Sequence, residues 1–287
     1  MPIEGLVPGW LLTVVAVGTI FTIMFDLGLA IVPGEFRWVF EHPGLLLKCL
    51  FAVLVAVPAL AWLVARAVDL PRDVEIGIVL MAISPGAPVA LRRSLGAGGH
   101  RAFAPALQIA VAALAVVSMP LAIAAFDEYY AGHATADPLQ LARQVFFAQL
   151  LPLGLGMLMA RAAPRATAWL EPRLRRVGTV LLAVLVALAL VNVWKVVIDA
   201  GPRVALSIVA ITFLALAAGH LLGGPDPATR VATAISSAAR NPGLALLVAA
   251  LNRASPAITA TVLAYFVIAA LAMIPYVAWR RRSTAPS

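Results

Sequence analysis

An arginine near the middle of a long apolar segment is the residue of this sequence best suited to binding chemistry. Arg240 lies in the apolar segment 227–252 and is followed by Asn241, Pro242 and Gly243. A planar guanidinium binds a carboxylate or sulfate through two parallel hydrogen bonds. The position therefore indicates an anion site. A purely structural role, in which the guanidinium bonds only to free main-chain carbonyls, is the alternative.

A second apolar segment carries a matching interruption. Ser84, Pro85 and Gly86 lie within the segment 72–97. Proline removes a backbone donor and glycine adds conformational freedom, so each Pro-Gly pair predicts a break in a helix. The half-helices that start near Gly86 and Gly243 would point their positive N-terminal ends toward the place where the two breaks meet.

Polar residues near these breaks are the candidates for binding a substrate: Arg240, Asn241, Ser84, Gly86, Ser236, Ser237, Gln108 and Asp26. Asp26 is a carboxylate inside the first apolar segment, where it pairs with an arginine, carries a proton or lies at the membrane interface. Arg92 and Arg93 either mark the inner mouth of a pathway or only follow the charge bias of cytoplasmic helix ends. Weaker candidates for a cavity lining are Gln149, Asn192, Lys195, Asn252 and Thr259.

The composition places these elements in a membrane. Of the 287 residues, 63% are hydrophobic and 12% are charged, and the mean hydropathy is +0.99. A soluble protein needs more polar residues to cover its surface, so a soluble enzyme, a secreted disulfide module and a disordered chain are all disfavoured. The apolar runs are continuous, which favours helices over a β-barrel. Arginines at cytoplasmic helix ends explain the net charge of +8 better than a nucleic-acid partner does.

Nine apolar segments predict an all-α membrane protein with about nine transmembrane helices. They span residues 8–32, 43–66, 72–97, 101–126, 138–161, 173–198, 203–222, 227–252 and 255–279. With the N-terminus outside, thirteen Lys and Arg residues fall on the cytoplasmic side and five outside. This bias predicts a multi-pass protein of the cell (inner) membrane with a cytoplasmic C-terminus.

The paired breaks predict an inverted repeat with two crossing broken helices inside one transmembrane domain, residues 1–287. The first repeat covers about 8–126 and the second about 138–280, with a basic cytoplasmic hinge at about 161–176. In such transporters the substrate site lies near the midplane, where the broken helices meet. Two unrelated kinks in a channel or a structural bundle are the alternative.

Three stretches of the chain resemble the bile acid:sodium symporter (BASS) family. Residues 24–29, Met-Phe-Asp-Leu-Gly-Leu, are similar to its Met-Phe-Gly-Met-Gly-Leu. Residues 84–87, Ser-Pro-Gly-Ala, are similar to its Cys-Pro-Gly-Gly at a first break. Residues 234–245 are similar to its Ala-Ile-Glu-x-Gly-Met-Gln-Asn-Ser-Gly-Leu-Ala at a second break.

The resemblance implies a fold shared with sodium/proton antiporters, in which a panel domain packs against a core domain that holds the crossing broken helices. It also implies transport of organic anions such as bile acids, sulfated steroids and small carboxylates, usually driven by sodium. The positions of the family's sodium ligands, however, hold other residues here: Ala90, Leu91, Ala104, Gln108, Ser236 and Arg240. Because sodium needs several oxygen ligands, the resemblance does not extend to sodium coupling.

The sequence thus predicts a secondary transporter or facilitator of small organic anions, independent of sodium. The alternatives are a sodium- or proton-coupled symporter and a non-transporting sensor or structural bundle. We expect no enzyme activity, because there is no phosphate-binding loop and Ser84 and Ser236 have no nearby base. The histidines lack metal-ligand spacing, so neither a metal nor a cofactor is expected. The expected partners are the anion and the lipid bilayer, without nucleic acid, and a homodimer is left open.

Overall fold

Helices make up almost all of the chain that the computed structural model describes, namely residues 9–31, 41–129, 138–199 and 201–284. These ranges contain no strand. Two short π-helical stretches, π1 (Ala52–Ala56) and π2 (Phe146–Leu150), each lie between two α-helices. In chain order the α-helices are α1 (Gly9–Ala30), α2 (Pro43–Phe51), α3 (Val57–Ala67), α4 (Arg72–Ala82), α5 (Pro88–Gly96), α6 (Phe103–Tyr129), α7 (Pro138–Val145), α8 (Leu151–Ala162), α9 (Pro164–Asp199), α10 (Gly201–Leu222), α11 (Pro227–Ala238), α12 (Pro242–Leu251), α13 (Pro256–Ala272) and α14 (Ile274–Thr284).

The helices confirm the predicted all-α class and lie at the predicted apolar segments. Among the described residues, six stretches are long and apolar enough to cross a membrane: Pro43–Ala67, Phe103–Phe126, Pro138–Ala162, Gly201–Leu222, Pro227–Leu251 and Pro256–Ser283. A shorter apolar helix covers Val14–Ala30. The protein is therefore a multi-pass helical membrane protein, while nine crossings and an outward N-terminus stay predictions.

Proline marks the start of many of these helices. It is the first residue of α2, α5, α7, α9, α11, α12 and α13. Its fixed φ suits this position, and the N–H that it lacks would have no partner within the helix. The side chains of Asp226, Asn241 and Ser255 accept hydrogen bonds from main-chain N–H groups of α11, α12 and α13. Local sequence therefore fixes where these helices begin.

Two of the helices are interrupted where the Pro-Gly motifs predict. The first break separates Ala82, the last residue of α4, from Pro88, the first of α5. The second separates Ala238, which ends α11, from Pro242, which begins α12. The span Pro227–Leu251 is also the most enclosed of the six, since 83% of its most apolar part is buried against 50% for Pro256–Ser283. The second broken helix thus lies at the centre of the described helices.

The first broken helix runs alongside α13 and α14 in the same direction. At one end, Ser255 Oγ donates to Asp73 Oδ2 at 2.7 Å, which joins the start of α13 to the start of α4. At the other end, Arg281 Nε donates to the carbonyl of Gly96 at 3.0 Å. These two contacts lie at opposite ends of the first broken helix, and the break lies between them.

Helix α1 packs closely on both α8 and α9, and these three helices form a second group, which meets the first through packing of α9 on α13 and of α1 on α12. Glycine allows the backbones of α1 and α8 to approach. A Cβ added to Gly28 would lie 2.2 Å from the carbonyl oxygen of Leu153, and one added to Gly156 would lie 2.3 Å from that of Phe25. Real Cβ atoms do not approach backbone this closely, so any side chain here forces the two helices apart.

We expect Gly156→Ala to lower the free energy of unfolding by about 1–3 kcal/mol, because the added methyl overpacks a backbone contact. Gly154 is the matched control, since a Cβ there meets nothing within 4 Å. Gly154→Ala should be neutral or stabilising by up to about 1 kcal/mol, through helix propensity alone. Thermal unfolding of the two purified variants measures both effects. Equal losses in both would contradict the close packing of α1 against α8.

Candidate functional site

The two breaks touch one another through the main chain. The N–H of Asn241 in the second break donates to the carbonyl of Ser84 in the first, at 2.9 Å. Gly86 has a φ of +80°, a left-handed conformation that glycine adopts without strain. The predicted close approach of the two breaks is therefore confirmed, and each break supplies a hydrogen-bonding partner to the other.

Arg240 fills the space beside the second break. The residue is 3% exposed, and its guanidinium donates to two main-chain carbonyls. Nη1 binds the carbonyl of Val53 in π1 at 2.9 Å, and Nη2 binds that of Ser237 at the end of α11 at 2.7 Å. Its bonds do not run to the first break at residues 84–88. The structural role considered for Arg240 is thus present, since it bonds carbonyls that a π-helix and a helix end leave free.

No described residue neutralises the charge of Arg240. None of the carboxylates that the structure describes forms an ion pair with it, and its Nε has no hydrogen-bonding partner in the described protein. Its carbonyl partners carry only partial charge. An unneutralised cation inside a membrane protein attracts an anion strongly, because little water screens it.

The other residues predicted at the second break are buried. Asn241 uses Oδ1 to cap α12 at the N–H of Leu244, at 3.2 Å, while its Nδ2 has no partner among the described groups. The hydroxyl of Ser237 is also buried without a partner in the described chain. Ser236 is 6% exposed. The side-chain oxygen of Asn241 thus caps a helix, while its amide nitrogen has no described acceptor.

The residues predicted at the first break serve the backbone. The hydroxyl of Ser84 donates to the carbonyl of Leu80, at 2.7 Å, within its own half-helix. Gln108, from α6, reaches the break and donates from Nε2 to the carbonyl of Ala87 at 3.2 Å. Both side chains therefore hold the interrupted backbone in place.

A cavity of about 70 Å³ lies against the second break. Arg240, Asn241 and Arg93 contribute polar groups to its wall, while α1 and α9 contribute apolar side chains such as Ile20 and Leu185. The cavity therefore lies between the group of α1, α8 and α9 and the broken helices. Ligand pockets usually measure about 300–1,000 Å³, so in this conformation the cavity accommodates only a small group.

A wider groove of about 490 Å³ adjoins this cavity and shares several lining residues with it, among them Arg93, Phe266 and Met273. Arg281, near the C-terminal end of α14, also lines the groove. The side chain of Arg93 thus stands between the enclosed cavity and the open groove. Two guanidinium groups along one path would favour the passage of an anion over that of a cation.

Asp26 is not among the residues that line the cavity, and it pairs with an arginine. The residue is 1% exposed, and its Oδ2 accepts a hydrogen bond from Nη2 of Arg92 on α5. Its Oδ1 is buried without a partner in the described chain. The side chain of Arg92 is 43% exposed. Of the three roles considered for Asp26, the structure contains the ion pair, and this pair joins α1 to the first broken helix.

Three buried polar groups were not predicted from the sequence. Glu75, in α4, is a second buried carboxylate at 5% exposure, and it stands in the sequence next to the charged residues Arg72 and Asp73. The carbonyl of Val53 is available because the N–H of Val57 bonds to the carbonyl of Ala52 within π1, and Pro58 has no N–H. Pro58 is the one sign of this in the sequence. Tyr265 is 1% exposed. The burial of its hydroxyl, which lacks a partner among the described residues, depends on packing alone.

The weaker candidates for the cavity lining do not gather at the breaks, apart from one. Asn252 is exposed and bonds to the carbonyl of Val248 in its own helix. Thr259 is not among the residues that line the cavity. The side chains of Asn192 and Lys195 lie outside those that the structure describes. Gln149 is the exception, because its amide lies directly against the backbone of Gly86 in the first break. A Cβ added to Gly86 would be only 2.4 Å from Nε2 of Gln149.

Comparison with known proteins gives one match. Residues 17–200 match the sequence model of the Sodium Bile acid symporter family. The matched stretch contains the first break and ends before the second. A search of curated proteins finds no match for the chain.

We expect Arg92→Gln to destabilise the protein more than Asp26→Asn does. Losing Arg92 leaves a buried carboxylate without its cation, which costs about 1–3 kcal/mol once the partial exposure of the arginine is allowed for. Losing the charge of Asp26 leaves Arg92 free to turn toward water, and should cost less than about 1 kcal/mol. Thermal unfolding of the single and double variants gives the coupling energy. Losses that simply add in the double variant, so that the coupling energy is zero, would contradict the pairing.

Proposed function

The chain belongs to the Sodium Bile acid symporter family, and we propose that it is a sodium-independent secondary transporter or facilitator of small organic anions. Membership confirms the family predicted from the motifs of the sequence. Members of this family are membrane transporters of organic anions or bile acids, not enzymes. The proposal concerns what the family assignment leaves open, namely the driving ion, the size of the anion and the residues that bind it.

The observation that carries the proposal is the unneutralised charge of Arg240 beside the cavity. A buried guanidinium whose protein partners are neutral carbonyls retains a full positive charge. The Nε of Arg240 and the Nδ2 of Asn241 are both donors without described partners, and both residues line the cavity. Two donors and one positive charge suit a carboxylate or sulfate better than they suit a neutral or cationic substrate.

Independence from sodium is supported by the residues at the positions where the family's sodium ligands fall. Ala90, Leu91 and Ala104 are 1%, 6% and 2% exposed, and their side chains have no oxygen. We propose that Arg240 acts as a tethered cation instead. It donates to a helix-end carbonyl and to a π-helix carbonyl, which are oxygens of the kind that a bound monovalent cation would use. A fixed charge of this kind makes a co-transported cation unnecessary.

We further propose that the anion passes between the cavity and the groove past Arg93. Movement of the broken helices and α13 against the group of α1, α8 and α9 would open and close this path, as in other transporters with paired broken helices. The Asp26–Arg92 pair joins the two groups and would separate when they move. With the N-terminus outside, as predicted from the arginines, the groove opens to the cytoplasm. The alternatives are sodium coupling, proton coupling and a non-transporting role, and uptake measurements distinguish each of them from sodium-independent transport.

Uptake should not depend on sodium. In proteoliposomes, we expect equal initial rates of anion uptake when sodium is replaced by potassium at the same ionic strength. The melting temperature in detergent should likewise be the same in both salts. A bound ion at 100 times its Kd stabilises a protein by about 2.7 kcal/mol. A sodium-specific stabilisation that grows with concentration, or uptake driven by a sodium gradient, would refute independence, and uptake driven by a pH gradient would favour proton coupling.

Substitution of Arg240 tests the anion site. Arg240→Ala removes the donor from two buried carbonyls, at about 1–3 kcal/mol for each group, and should abolish uptake. Arg240→Lys keeps the charge without the planar fork, so we expect it to fold and to take up the anion at least about tenfold more slowly.

Arg230→Lys is the matched control, because Arg230 lies on the same half-helix and donates to the carbonyl of Gly224, away from the breaks. It should leave uptake unchanged. Uptake at the wild-type rate by Arg240→Ala would remove Arg240 from the site.

A further inference from the structure

Helix α9 is too long to lie wholly within a lipid bilayer. It has 36 residues, Pro164–Asp199, and at about 1.5 Å for each residue it extends about 54 Å. The hydrocarbon core of a bilayer is only about 30 Å thick. Residues 164–176 carry four arginines and one glutamate, whereas residues 177–194 carry no charge. The boundary between lipid headgroups and hydrocarbon therefore meets α9 near residues 176 and 177.

One face of α9 is exposed across this boundary. Each of its members lies three or four residues from another member, and such residues are neighbours on a helix surface. The α9 face consists of the exposed residues Trp169, Arg173, Arg176, Val177, Val180 and Val184. The opposite side of the helix packs on α1, where a Cβ added to Gly178 would lie 2.8 Å from Cγ1 of Ile23. The α9 face is thus basic and aromatic at one end and apolar at the other.

Trp169 holds Arg173 in place at the basic end. The guanidinium carbon of Arg173 lies 3.9 Å from the centroid of the Trp169 ring, and its Nη1 donates to the Trp169 carbonyl. Tryptophan is enriched at the depth of the lipid headgroups, and a guanidinium that stacks on its ring gains a cation–π attraction. The stacking limits the motion of Arg173, so that less entropy is lost when its remaining donors bind an anion.

The described carboxylates leave the arginines of this face unneutralised. Glu171 is the only acidic residue between positions 161 and 176, and it pairs with Arg175, which is not a member of the α9 face. The described ion pairs include neither Arg173 nor Arg176. Two guanidinium groups, three residues apart, therefore stand next to an exposed apolar surface without an anionic partner in the described chain.

We propose that the α9 face binds an anionic phospholipid. Arg173 and Arg176 hold the phosphate, which a guanidinium can bind through two parallel hydrogen bonds, and an acyl chain lies along Val180 and Val184. The order of groups along the helix, basic and then apolar, is the order of groups in the lipid. None of the six members lines the cavity at Arg240, so this inference does not rest on the proposed transport function.

A second copy of the chain suits this face less well. In a dimer with a twofold axis the same surface of both subunits meets, so that the unneutralised arginines of one copy would lie against those of the other. A soluble anion would use the arginines and leave the valines uncovered. An anionic phospholipid is the occupant that complements both ends of the face.

Binding of phosphatidylglycerol and phosphatidylcholine with identical acyl chains tests the proposal. Native mass spectrometry of the purified full chain, titrated with each lipid in detergent, gives the two dissociation constants. Wild-type protein should bind phosphatidylglycerol more tightly. The pair Arg173→Gln and Arg176→Gln should weaken its binding about thirtyfold, because each arginine near an anionic lipid contributes about a factor of five. The pair Arg173→Lys and Arg176→Lys retains the charges and should keep most of the affinity.

The matched control is the pair Arg101→Gln and Arg282→Gln, which removes the same charge from two exposed residues outside α9. It should bind phosphatidylglycerol as the wild type does. An equal loss of binding in the two glutamine pairs would show a general effect of charge and would overturn the proposal. Equal affinities of the wild type for the two lipids, or loss of binding in the lysine pair, would also overturn it.

Light scattering separates the lipid from a second copy of the chain. The purified protein should be a monomer or an oligomer that Val180→Trp leaves unchanged, because the α9 face is covered by lipid. An oligomer that Val180→Trp converts to a monomer would show that another copy covers the α9 face, and would overturn the proposal.

Discussion

Backbone groups that are released inside a membrane must find partners within the protein, and the centre of this structure is arranged around that constraint. Each break frees N–H and carbonyl groups at a depth where water is scarce. The N–H of Asn241 meets the carbonyl of Ser84, so that each break satisfies part of the other. Gln108 and Arg240 supply further donors to carbonyls at the first break and at the end of α11. The crossing of the broken helices is thus held by hydrogen bonds as well as by packing.

Arg240, which bonds to two of the free carbonyls, is also the residue that points to function. A neutral donor at position 240 would satisfy the carbonyls of Val53 and Ser237 as arginine does, but it would bring no charge. Arginine brings a full positive charge that no described carboxylate neutralises, and places it beside a cavity. Structural and binding roles therefore coexist in one side chain, with the two Nη atoms bonded to the protein and Nε left without a described partner. In a family whose name refers to sodium, this covalently attached cation is the basis of our proposal that transport does not need that ion.

In the described chain, two polar side chains from α1 and π2 reach the first broken helix. Asp26 and Arg92 form an ion pair between α1 and α5, while Gln149 of π2 approaches Gly86. The close packing of α1 on α8 depends instead on Gly28 and Gly156, where the two backbones touch and no side chain fits. This difference suits a molecule in which α1, α8 and α9 move as one body. The polar contacts between the groups can break and reform, whereas the closely packed backbones of α1 and α8 stay together.

Composition, the Pro-Gly motifs and the arginine in an apolar run were enough to predict an all-α membrane protein, both interruptions and their contact, and the resemblance of three stretches to a known family gave its family. These features are local or periodic, and local sequence determines where a helix begins, where it breaks and whether it can lie in lipid. The partners of the polar residues could not be predicted in the same way. Asp26 had three possible roles in the sequence, and only its contact with Arg92 in the fold selects the ion pair. The burial of Glu75 likewise depends on which helices cover the start of α4. Val53 is a partner of Arg240 because the N–H of Val57, which would bond to it in a regular helix, bonds to the carbonyl of Ala52 instead, and Pro58 has no N–H. Gln108 and Gln149 look alike in the sequence, yet one amide has a main-chain partner and the other has none among the described groups. That difference arises from the tertiary structure, because hydrogen bonding depends on distances of a few tenths of an ångström between segments far apart in the chain.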